Sequence, residues 1–102
     1  MRLLRHDFVG RLAIDAEGRP LGEVADVWPA DGGGEPEMLL LKLERFALRR
    51  YVPLEGAWWV DADCLQLPWS ALDVDDAPDA EDHRWGDAPT VARAHWMLLR
   101  GE

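Results

Sequence analysis

Between residues 8 and 67 the chain is a series of short apolar runs, each closed by a glycine, a proline or an acidic turn before it can extend into a helix. Runs of this length, repeating about every 8 to 12 residues, are the pattern of a small antiparallel barrel or sandwich. Six strands are expected, at 8–14, 21–28, 38–43, 48–54, 57–60 and 64–67. The first ends in Asp15-Ala16-Glu17-Gly18, where Gly18 is suited to positive φ. Pro29, Pro53 and Pro68 stand at strand ends, where a missing N–H is tolerated. Residues 30–36, which include three consecutive glycines, read as a wide hairpin loop.

The run 38–43 is the most apolar. Side chains alternate across a strand, so Leu39, Leu41 and Leu43 are assigned to the core with Val52 and Leu65. Met38, Leu40 and Lys42 then face outward, and the two apolar ones need cover from the tail or from a second chain. After Pro68 the composition changes. Residues 73–87 carry seven carboxylates and one arginine, which predicts an exposed, extended acidic arm. Asp87-Ala88-Pro89 has the form of a helix start, and Gly101 that of a stop. Within the predicted helix 88–99, Val91, Ala92, Trp96, Leu98 and Leu99 form the apolar stripe, with Arg93, Met97 and Arg100 opposite. A helix of about a dozen residues is marginal in water, so this one must dock.

Charge restricts the partners. The 102 residues include 20 acidic and 11 basic side chains, for a net charge of −9, and Lys42 is the single lysine. Such a chain repels nucleic acid and anionic membranes. No apolar run reaches the roughly 20 residues of a membrane span, and the early charges Arg2, Arg5 and Asp7 do not suit a secretory signal. The lone Cys64 excludes an internal disulfide and fits a reducing compartment. A cytoplasmic location is expected. Six tryptophans are more than one small core easily hides; most read as core and lid residues, and the alternative reading is that two or three line a partner surface.

Chemistry-bearing patterns are sparse. Cys64 with His6, His83 or His95 has no nucleophile signature around it, and a Cys64-dependent enzyme is the least favoured reading. Hydroxyls are confined to Ser70, Thr90 and Tyr51. Asp73-Val74-Asp75-Asp76-Ala77-Pro78 begins like a calcium loop but places Pro78 where that loop requires glycine. Neither a metal nor a cofactor is expected. His95 reads as a half-buried structural histidine. Arg49 and Arg50 point to opposite faces of a strand, so one of them is expected to be half-buried and paired, with the chain's own acidic arm a candidate partner.

In order and spacing these pieces resemble a family. Residues 8–27, with Val9-Gly10, Asp15 and Gly18, then Gly22, Val24, Asp26 and Val27, resemble the opening of a PRC-barrel domain. The strand 38–43, Val52-Pro53-Leu54 and the closing Leu65-Gln66-Leu67-Pro68 are similar to later elements of that family, and the likeness extends to Pro78. It implies a small antiparallel β-barrel of about six strands over residues 8–78, followed at 79–102 by an acidic linker and a C-terminal helix. Domains of this type form the cytoplasmic part of the photosynthetic reaction-centre H subunit and half of a ribosome-maturation factor. They also occur as stand-alone proteins, the class this sequence fits best.

What the resemblance implies is an adaptor that contacts proteins and transforms no substrate. The leading expectation is therefore a non-enzymatic, self-associating module, a homodimer, with Met38, Leu40, Trp96, Leu98 and Leu99 as its interaction surface. A ribosome- or RNA-processing accessory is the runner-up.

Overall fold

The computed structural model describes residues 5–29, 36–44, 48–81 and 87–99. In chain order the elements are α1 (Arg5–Phe8), β1 (Leu12–Ile14), β2 (Pro20–Trp28), β3 (Met38–Leu43), β4 (Arg49–Pro53), β5 (Trp58–Asp61), β6 (Cys64–Gln66), α2 (Ala71–Asp76) and α3 (Ala88–Leu99). The expected glycine-rich loop at 30–35 lies outside the described residues.

Asp15 organises the turn between β1 and β2. Its carboxylate is buried and accepts the N–H groups of Glu17 (2.9 Å) and Arg19 (2.8 Å), while Gly18, at φ +86°, donates to the Asp15 carbonyl. An acceptor aimed at the turn's own backbone is what an aspartate at this position supplies. The expected first strand, 8–14, is shorter than anticipated. Phe8 closes a helical turn, Gly10 bends the chain at φ +87°, and only Leu12–Ile14 joins the sheet. The Gly10 N–H donates to the Val24 carbonyl and locks that bend onto β2.

The six strands form one sheet in the order β4-β3-β2-β1-β6-β5. All neighbours are antiparallel except β1 and β6, which run parallel, a departure from the all-antiparallel expectation. The sheet is also not closed into a barrel. It is nevertheless strongly curled. Six flat strands would hold the edges about 24 Å apart, five spacings of about 4.8 Å. Edge strands β4 and β5 are joined by residues 54–57 alone. From Pro53 to Trp58 is five Cα steps, at most about 19 Å fully extended. The Ala57 N–H also bonds back to the Leu54 carbonyl, so the real span is shorter. The edges approach but do not pair, because the free side of β4 is already occupied. Asp79 bridges Arg50 there, and the Ala80 N–H donates to the Arg49 carbonyl at 3.0 Å.

Inside the curl lie Phe8, Ala13, Val24, Leu39, Leu41, Leu43, Val52, Leu65 and Leu67, as the alternation in β3 predicts. Gly22 belongs here by necessity: a Cβ would strike the Lys42 carbonyl and stand 2.9 Å from the Leu43 Cα. Met38, assigned to the outer face and expected to need cover, has it. It is as buried as the inward leucines, because the outer face at this end of β3 is itself covered. Leu40 is half-buried on the same face.

The acidic arm is also corrected. Ser70 caps α2, its Oγ accepting the Asp73 N–H at 3.1 Å, and Val74 and Ala77, three residues apart, bury themselves in the core. Residues 71–77 are therefore folded structure, and 82–86 lie outside the described residues. Local capping and two well-spaced apolar side chains outweigh the average acidity of the segment.

Candidate interaction surface

Helix α3 begins as its residues dictate. The Asp87 carbonyl accepts the Val91 N–H, its carboxylate accepts the Thr90 hydroxyl, and Pro89 occupies the first turn. It docks on its own sheet through Ala88, Pro89, Ala92 and Trp96. The row 88, 92, 96 is an i, i+4, i+8 ridge, with two alanines letting the backbone come close and one indole filling the gap. Trp96 has no exposed surface; its Nε1–H donates to the Tyr51 carbonyl at 2.8 Å. Trp69 lies beside it at a ring-centre distance of 4.9 Å and donates its own Nε1–H to the Pro53 carbonyl. Trp96 lines one pocket with Met38 and Pro53, and the helix lying over this face accounts for the burial of Met38.

The five residues proposed from sequence thus separate into two groups. Met38 and Trp96 meet in the seam between helix and sheet, with Leu40 half-buried on the same sheet face. Leu98 points away, with 76% of its surface exposed, whereas Leu99 stands on the side of Ala92 and Trp96 and is half exposed at the end of the helix. At about 100° per residue, Trp96 and Leu98 stand some 200° apart on the helix, so they cannot share a face. The sequence stripe was two stripes merged. The second consists of Val91, Ala94 and Leu98, at i, i+3 and i+7, flanked by Met97 and Leu99. Ala94 went unnoticed in the sequence, although its i+3, i+7 spacing from Val91 was the available signal.

The charge of α3 differs from that of the rest. Its twelve residues contain Arg93 and His95 and no carboxylate, in a chain of net charge −9. Arg93 pairs with Glu37 at 3.2 Å across the mouth of a pocket of about 200 Å³ formed by Met38, Pro53, Glu55, Trp96 and Met97. His95 is half-buried, edge-on to Trp96.

Arg49 and Arg50 do meet the acidic segment after α2. Arg50 is buried on the inner face opposite Leu41, with Nη1 3.8 Å from the Asp79 carboxylate, and Arg49 reaches Glu81 at 4.0 Å. The arginine pair therefore secures the edge of β4 instead of presenting a basic patch.

Other chemistry-bearing side chains are dispersed. Cys64, on β6, has its thiol pushed above the usual range by desolvation and then by Asp61, the opposite of an activated nucleophile. Tyr51 lies under α3, its phenol held neutral to higher pH by burial, then by Asp26 and Asp87. Asp73, which the sequence places at the head of a calcium-like loop, sits instead in the first turn of α2. His83 and Trp85 lie outside the described residues. Among the described residues no helix is long and apolar enough to cross a membrane.

A curled six-strand sheet with an Asp-and-glycine hairpin and a close-contact glycine in β2 is the framework that the sequence motifs implied. A model of the PRC-barrel domain matches residues 2–77. The chain belongs to the PRC-barrel family. The match ends just beyond α2, so α3 lies outside it, packed on the outer face of the sheet. A search among curated proteins finds no match to this PRC-barrel chain. The outer stripe of α3 lies beyond the family match, and the exposed Trp58 and Val60 of β5 lie within it.

Proposed function

We propose that this PRC-barrel chain is a non-enzymatic interaction module that self-associates as a homodimer, with α3 of one copy against α3 of the other. The observation that carries the reading is the outer stripe of α3. It is apolar, periodic and free of carboxylates in a strongly acidic chain, so it is the place where two copies can approach with least repulsion. A two-fold axis across Ala94 would let the helices come close, with Val91 of one copy beside Leu98 of the other. Such an isologous contact closes on itself.

The size of α3 sets the strength. A standard interface buries about 800 Å² per partner, and a twelve-residue helix is only about 18 Å long. The dimer is then reversible, with dissociation on the order of 1–100 μM. Sedimentation velocity across a concentration series tests this. Leu98→Glu should leave a folded monomer, whereas a wild-type chain that stays monomeric throughout removes the proposal. Micromolar RNA binding that weakens steeply with salt would favour an RNA-processing accessory instead.

A further inference from the structure

We draw no further inference here: the strongest candidate, the pocket of about 200 Å³ between α3 and the adjoining ends of β3 and β4, floored by Met38, Pro53, Trp96 and Met97, carries nothing, because its charged groups are engaged within the chain, Arg93 with Glu37 at 3.2 Å and Glu55 in an interaction of its own, so none is left to select a ligand.

Discussion

Replacing Trp96 by alanine is the sharpest perturbation of the helix–sheet seam. The indole is fully buried and its N–H bonds the Tyr51 carbonyl at 2.8 Å. Burying 150–250 Å² of tryptophan at about 25 cal/mol/Å² gives roughly 4–6 kcal/mol of transfer free energy. The stranded carbonyl adds about 1–3 kcal/mol if it stays dry. Measured core Trp→Ala losses, about 3–5 kcal/mol, already include partial relaxation. A loss of about 4–5 kcal/mol is expected, and it exceeds what docking of one short helix can sustain. Helix α3 should therefore detach while the sheet survives. Urea unfolding, the helical circular-dichroism signal and amide exchange follow this together. α3 amides should exchange freely, and those of β2 and β3 should stay protected. Trp96→Phe keeps most of the apolar area and loses the donor, for about 1–3 kcal/mol. The reasoning is refuted if Trp96→Ala costs less than about 1.5 kcal/mol and leaves α3 amides as protected as before.

Two further perturbations probe the sheet and its cover. Gly22→Ala should cost about 3 kcal/mol or more, measured by the urea midpoint, because the atoms in the way are β3 backbone and cannot rotate aside; a change under about 1 kcal/mol would show that β2 and β3 slide apart easily. Tyr51 carries a raised pKa in the folded chain, from burial first and then Asp26 and Asp87, so the native state keeps its proton where the unfolded chain loses it. Its contribution is whole below about pH 10 and is lost as pH rises through the folded value; Tyr51→Phe should flatten that alkaline fall in Tm, and an unchanged slope would assign it to another group.

Much of this architecture was legible in the sequence because local rules and the global fold agree. The Leu39, Leu41, Leu43 alternation gave the correct face, and Asp15 with Gly18 marked the first turn. The sequence says less where one face of an element serves two environments. Met38 faces outward by parity and needs cover from the tail or a second chain, which α3 supplies; parity alone does not say how completely it is buried. Residues 71–77 look like solvated arm by average charge, and they fold because Ser70 caps them and Val74 and Ala77 bury. The α3 stripe shows the same limit. Both apolar rows are written in the helix, but which one the sheet takes depends on Ala88 and Ala92 allowing close approach. The expected barrel does not close because the partner of β4 is the segment around Asp79, far along the chain.

The most direct measurement of the central claim is the solution mass of the full chain by sedimentation velocity, from about 1 to 300 μM, the range in which a weak interface assembles. The account predicts a reversible monomer–dimer equilibrium with dimer dominant at the upper end, and a Leu98→Glu variant that remains folded and monomeric across the same range. A wild-type chain that is monomeric at every concentration, or a dimer that persists unchanged in Leu98→Glu, would contradict it.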